Sequence, residues 1–294
     1  MLHDDIASLS LTHLSGLGLD PADRPDRFSF ADTIKNTLVD GVVHKDILQC
    51  TSTELELSCA KSDYLEAVLT ELHFGNIRIE EQCKNLGALI VAEAQPAWIL
   101  VTTYYACYFM ANDLAKASGQ FIINISKDDF LGMLSGQPPS ISGAMQVEGY
   151  TPFSVTVSHG EMSGEVNLLM RKNGSKPHQL AWHNFARLLA KLSVSDSRFK
   201  HVELLKAISL AKDGWGNPSD VRNTWNYTQS NYYGEKGRGL AKTFSSVIRA
   251  DGSAFAWAGN NTLKPTEENV VASIAYLYHI LRGAHSALIR RLVV

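Results

Sequence analysis

Along much of the chain, apolar side chains return every three or four positions, the interval that places them on one face of a helix. Near the start, Ile6, Leu9, Leu11, Leu14 and Leu17 form one such piece. Over residues 53–73, Leu55, Tyr64, Leu65, Val68, Leu69 and Leu72 form a second. The clearest helix is predicted over 97–118: Pro96 suits a first turn, Gly119 supplies a stop, and Trp98, Val101, Tyr105, Tyr108 and Asn112 share one face. Further helices are expected over 177–192, where Leu180, Phe185, Leu188, Leu189 and Leu192 are the apolar residues, and over about 198–212. The last helix, about 266–292, carries Val270, Ile274, Leu277, Leu281, Ala284, Leu288 and Leu292. Glu267 and Glu268 at its start and Arg290 and Arg291 near its end suit the helix dipole.

A period of two appears in 153–157 and 165–170 and predicts one β-hairpin. Residues 76–80 read as a short strand, and 29–47 as a short helix followed by a β-branched piece. Pro21 and Pro25 mark a connector. Residues 132–149 are rich in Gly, Pro and Ser, and 234–262 in Gly and Asn, with 234–243 expected to form a flexible basic loop. The expected architecture is mainly α: a helical bundle over 91–294 with a small β-hairpin insertion at about 145–171, preceded by an N-terminal helical extension or small domain over 1–90.

A chain of 294 residues can bury one large core or two moderate ones. With 45% hydrophobic and 19% charged residues, the composition excludes overall disorder. The net charge of −3 excludes a global basic field for nucleic acid but leaves room for a local patch. Cys50, Cys59, Cys83 and Cys107 form no C-x-x-C pair, so neither a zinc knuckle nor a thioredoxin-type motif is present. Such spacing fits reduced thiols in the cytosol. The start, Met1-Leu2-His3-Asp4-Asp5, lacks the basic region and long apolar run of a signal peptide. The apolar stretches 86–111 and 270–294 are broken by polar residues, so a cytoplasmic protein without a membrane partner is expected.

Chemistry concentrates in Pro218-Ser219-Asp220-Val221-Arg222-Asn223-Thr224-Trp225-Asn226-Tyr227. Ser219 or Asp220 can cap a helix start just before Arg222. On a helix, Arg222 and Asn226 share a face, as do Asn223 and Tyr227. Arg, Asn and the free N–H groups of a helix start together can hold a phosphate. Alternatively, Arg222 and Tyr227 satisfy one another or a carboxylate such as Asp113.

The aromatic run Tyr104-Tyr105-Ala106-Cys107-Tyr108-Phe109, followed later by Arg222-Asn223 and Tyr227, resembles the HEPN superfamily over roughly residues 95–235. That resemblance implies a helical bundle, a homodimer, and a metal-independent ribonuclease of toxin–antitoxin or anti-phage systems, needing no cofactor. It also implies RNA as substrate and an antitoxin or defence-system protein as partner. The family motif places a His four to six residues after the Arg. Here Asn226, Tyr227, Thr228 and Gln229 occupy that stretch. A tyrosine with an ordinary pKa near ~10 is a poor base at neutral pH but can position a phosphate or donate a proton. The expected catalytic set is therefore Arg222, Asn223 and Tyr227. The competing expectation is a non-catalytic interaction or dimerisation module, in which the Arg-Asn-x-x-Asn-Tyr motif is structural or binds a partner.

Supporting positions follow. His178 and His183 are five apart, not the four of a metal-binding helix face, so no metal is expected, but one of them could replace the motif His beside Arg222. Asn226, Lys236, Arg238 and His183 are candidates for substrate binding, and Asp113, Asn112 and Tyr105 for support of Arg222. Lys236, Arg238 and Lys242 lie in a Gly-rich basic loop whose glycines are misplaced for a phosphate loop. His279 and His285 fall among apolar residues of the last helix and read as core histidines.

Overall fold

The computed structural model describes residues 1–19, 33–39, 45–174, 176–193 and 195–293. Helices α1 (Leu2–Gly16) and α2 (Ile34–Val39) precede strands β1 (Lys45–Cys50) and β2 (Glu54–Ala60). Two long helices follow, α3 (Lys61–Val91) and α4 (Pro96–Ala117). Next come β3 (Gln120–Ser126), the short helices α5 (Lys127–Met133) and α6 (Pro139–Ser142), and the hairpin of β4 (Tyr150–His159) and β5 (Glu165–Lys172). The remainder is helical: α7 (Pro177–Ala190), α8 (Asp196–Ser209), α9 (Pro218–Asn223) with a π-helical turn (Thr224–Thr228), α10 (Glu235–Leu240), α11 (Lys242–Val247), α12 (Asp251–Ala258) and α13 (Glu267–Val293).

The five strands form one antiparallel sheet in the order β1-β2-β5-β4-β3. This overturns the expectation of a mainly α bundle with a small hairpin: the fold is α+β, 64% helix and 14% strand. The expected hairpin is not an insertion but part of the middle of the sheet, with β2 along one side and β3 along the other. Each flanking strand alternates as its neighbours do. Leu55, Leu57 and Cys59 of β2 are buried, as are Phe121, Ile123 and Ile125 of β3, on the face shared with Phe153, Val155, Val157, Val166, Leu168 and Met170. Helices α3, α4 and α7 pack against this sheet.

Leu55 fits both a helical stripe with Tyr64 and an alternation with Leu57. Pairing with β5, Leu55 opposite Met170 and Leu57 opposite Leu168, decides for strand. The short strand expected at 76–80 lies instead inside α3, because Leu72, Gly75, Ile79, Cys83 and Leu86 continue one buried helical stripe. Residues 234–262 hold three short helices, and the stretch 234–243, expected as a flexible basic loop, forms α10 and the start of α11. Glu268 supports the start of α11, accepting from the Thr243 N–H at 3.2 Å and from its hydroxyl. The cap of α9 is neither Ser219 nor Asp220. Asn217 accepts the Ser219 N–H at 3.0 Å, and Pro218 fills the first turn.

Helices α1, α3, α4 and α13 make the second layer of the core, with α1 against α13 and α4, and α4 between α3 and α13. The first 90 residues thus contribute strands to the common sheet and a helix to the common core. Gly119, at φ 76°, ends α4 as the sequence predicted. The connector at 20–25 lies outside the described residues. Among the described residues, no helix is long and apolar enough to cross a membrane.

Candidate functional site

Three helices converge on the wall formed by α4. Tyr104 points into the core and is fully buried, whereas Tyr105 and Tyr108 are half-buried beside it. From α9, Arg222 lays its guanidinium over these rings, with Cζ 5.1 Å from the Tyr104 centroid and 5.4 Å from that of Tyr105. The π turn that follows α9 adds a residue to the local repeat, closed by the Gln229 N–H on the Thr224 carbonyl at 3.1 Å. This wider turn brings Tyr227, five residues on, over the same cation at 5.9 Å, although Tyr227 itself is 69% exposed. Arg222 and Tyr227 therefore meet, whereas α-helical spacing pairs Arg222 with Asn226.

The third contribution is His178, in the first turn of α7. Its Nδ1 lies 2.8 Å from the Tyr104 hydroxyl, and its ring stacks on Tyr108 with centroids 4.3 Å apart. Burial lowers its pKa below the usual imidazole value, and the Arg222 charge lowers it further. The ring is thus neutral at pH 7. At the start of α7, Pro177 has no N–H, and the Gln179 and Leu180 N–H groups donate to the Lys176 carbonyl at 3.0 and 3.2 Å, which leaves the backbone N–H of His178 as the one in the first turn without a described backbone partner. Burial raises the Tyr104 and Tyr108 hydroxyls, so both stay protonated.

Arg222 is 7% exposed, and its Nε is buried without a hydrogen-bond partner. Among the described residues no carboxylate pairs with it. The expected partner, Asp113, is elsewhere. It is fully buried, and its Oδ2 lies 3.1 Å from Nε2 of His285 on α13. Asp113 points toward α3, where a Cβ on Gly75 would stand 3.0 Å from its Cγ. Asp113 comes nine residues, two and a half helical turns, after Tyr104, which places it further along α4 and on the opposite face from that tyrosine. His285 is the core histidine the sequence predicted. His279 is satisfied too, between Asp251 and the Val247 carbonyl, the latter at 3.0 Å.

The other candidates divide. Tyr105 joins the Arg222 cluster, and Asn223 and Asn226 sit half-buried beside it in sequence. Asn112 donates to the Tyr108 carbonyl at 2.8 Å and supports α4 itself. Lys236 lies over Tyr232 at 5.2 Å, and Arg238 lines a separate cavity of about 570 Å³ with Tyr233 and Gln95. His183 is exposed, and no described contact ties it to the cluster. The histidine beside Arg222 is His178. Tyr104 and His178 had a signal in the sequence, a tyrosine one helical turn before Tyr108 and a histidine just after a helix-starting proline. Their meeting, however, is a tertiary contact. Among the described residues, no group of three or more His, Cys, Asp or Glu is placed to hold a metal ion. The chain matches no family model, no curated protein and no solved structure.

Proposed function

We propose that the chain binds RNA at the Arg222 cluster, as a metal-independent RNA-binding or RNA-cleaving effector of a defence or toxin-type system, in the manner the HEPN-like residues imply. The carrying observation is a buried arginine with an unpartnered Nε, held against three tyrosine rings and beside a neutral histidine, with no carboxylate on it among the described residues. A buried cation without an anion is costly, and a phosphate supplies the missing partner. Arg222 would hold the phosphate, with the His178 backbone N–H at the start of α7 as a second donor, and exposed Tyr227 would lie against a base or ribose.

For cleavage, His178 is the base. In the tautomer whose Nδ1–H donates to Tyr104, Nε2 carries the free lone pair and takes the proton from a ribose 2′-OH. The 2′-oxygen then attacks the adjacent phosphorus, the bond to the 5′-oxygen breaks as that oxygen takes a proton from water, His178 gives its proton back to solvent, and Arg222 faces the charge that builds on the phosphoryl oxygens. The products are a 2′,3′-cyclic phosphate and a 5′-hydroxyl end. The motif His expected on the arginine's own helix would thus be replaced by one from α7. A second reading, a structural arginine in a non-catalytic interaction or dimerisation module, is favoured by the low exposure of Arg222.

The deciding experiment incubates the full chain with transfer RNA and single-stranded RNA in EDTA, beside Arg222→Met and His178→Gln. The cleavage reading expects cyclic-phosphate ends that survive EDTA and disappear in both variants. Binding without cleavage that is lost in Arg222→Met leaves an RNA-binding module. No binding to either RNA overturns the proposal.

A further inference from the structure

Residues of α3, of the stretch 248–255 and of α13 line a cavity of about 770 Å³, within the size range of small-molecule sites. None of its lining residues belongs to that cluster. Its walls combine two kinds of surface. Leu86, Ile90, Ile248 and Phe255 are apolar, whereas Arg249 and Arg282 bring positive charge. Among the described residues, the one carboxylate on the wall, Asp251, is held by His279 and does not neutralise either arginine. Arg282 donates to the Tyr278 hydroxyl at 2.5 Å, which fixes its guanidinium while leaving its other N–H groups free of any described ion pair. The neighbouring cavity of about 570 Å³ shares Ile90, Ile248 and Arg249 with it, so Arg249 stands where the two meet.

Gly87 sharpens the picture. It lies four residues before the end of α3 and lines the cavity. A Cβ there would meet nothing within 4 Å, so the space beside it is open. Gly87 is exposed, so a side chain there would stand at the cavity's open edge rather than in the core.

The geometry points to a second ligand site, for a phosphomonoester on an aromatic or apolar body. Arg249 and Arg282 take the phosphate, as paired arginine forks do. Leu86, Ile90, Ile248 and Phe255 take the body. This does not rest on RNA binding at Arg222.

The test titrates the full chain calorimetrically with AMP and with phenyl phosphate. Adenosine, benzoate and inorganic phosphate separate the contribution of each part. Wild type is expected to bind at least one of the two phosphomonoesters, with inorganic phosphate and the body alone each about tenfold weaker or worse. Arg249→Gln and Arg282→Gln should each weaken binding about tenfold, the loss of a charge-assisted hydrogen bond. Gly87→Phe, at the cavity's edge, should weaken binding while leaving the melting temperature unchanged or raised, and Arg222→Met should leave the binding that depends on Arg249 and Arg282 in place. If neither phosphomonoester binds wild type, or if binding survives both arginine substitutions, the site is refuted. Should Gly87→Phe fail to fold, the arginine variants decide alone. Benzoate binding as well as the phosphates would refute the phosphate preference.

Discussion

Replacing Arg222 by methionine separates a ligand-binding arginine from a structural one. Methionine keeps the unbranched stem in its packing and removes the guanidinium. What is lost is cation–π attraction to Tyr104, Tyr105 and Tyr227, at 5.1, 5.4 and 5.9 Å. Each contact is worth about 0.5–1 kcal/mol, and two of the three rings are partly wet, so the sum is about 2 kcal/mol. What is gained is the removal of a buried Nε that has no partner, a group whose burial costs about 1–3 kcal/mol. The terms oppose each other at similar size, and urea unfolding should place Arg222→Met within about 1 kcal/mol of wild type. RNA binding should respond differently. Loss of one phosphate contact lowers the slope of log K against log salt by about 0.7 for a single strand, and affinity by about tenfold at fixed salt. Anisotropy with a labelled single-stranded RNA at several salt concentrations measures both. If the variant loses more than about 3 kcal/mol of stability while RNA affinity and salt slope stay put, the arginine is structural and the reasoning fails.

Other consequences concern the core. Asp113→Ala should cost about 3–5 kcal/mol in urea unfolding, because it leaves His285 buried without its partner, while Asp113→Asn, which keeps an acceptor, should cost clearly less. Gly75→Ala should destabilise by about 1–3 kcal/mol, since its Cβ would press on the Asp113 carboxylate. Combined with Asp113→Ala, which removes that carboxylate, its effect should shrink, and additivity in the double variant would disprove the contact. Stability should also fall with acid. Burial chiefly holds His13 down at about 4 in the fold, whereas the unfolded chain titrates near 6.5. The unfolded state therefore binds the extra proton between those values, so the contribution is complete above about pH 6.5 and lost as pH falls toward 4. Discounted for partial solvent screening, the loss is about 1–2 kcal/mol. Urea midpoints at pH 6.5 and 4.5 should differ less in His13→Leu, though not vanish, because burial also lowers His178 and His201.

Patterns confined to a few neighbouring residues were legible without the structure. The helix of Trp98–Asn112, bounded by Pro96 and Gly119, needed only helical spacing and two punctuating residues, and α4 spans Pro96–Ala117. The β4–β5 hairpin needed only alternation, and the long acidic-to-basic last helix only its stripe and end charges. Arg222 stood out because an arginine beside asparagines at a helix start is a distinctive local cluster. What misled was also local: Leu55 belongs equally to a period of two and to a helical stripe, and residues 76–80 look extended until the stripe of α3 is followed through them.

By itself, the sequence determined the length and amphipathic faces of the helices, the alternation of the hairpin and the presence of an arginine able to take an anion. Only the tertiary structure decided that the hairpin belongs to a five-stranded sheet, because a strand's partners are set by burial of a shared face with residues more than a hundred positions away. It alone decided that Asp113 faces His285 rather than Arg222, and that His178 from another helix stands beside the arginine. A side chain's type and spacing fix what it can do and which face of its own helix it takes. Which other element packs on that face, and so which partner it meets, depends on the burial of the whole core.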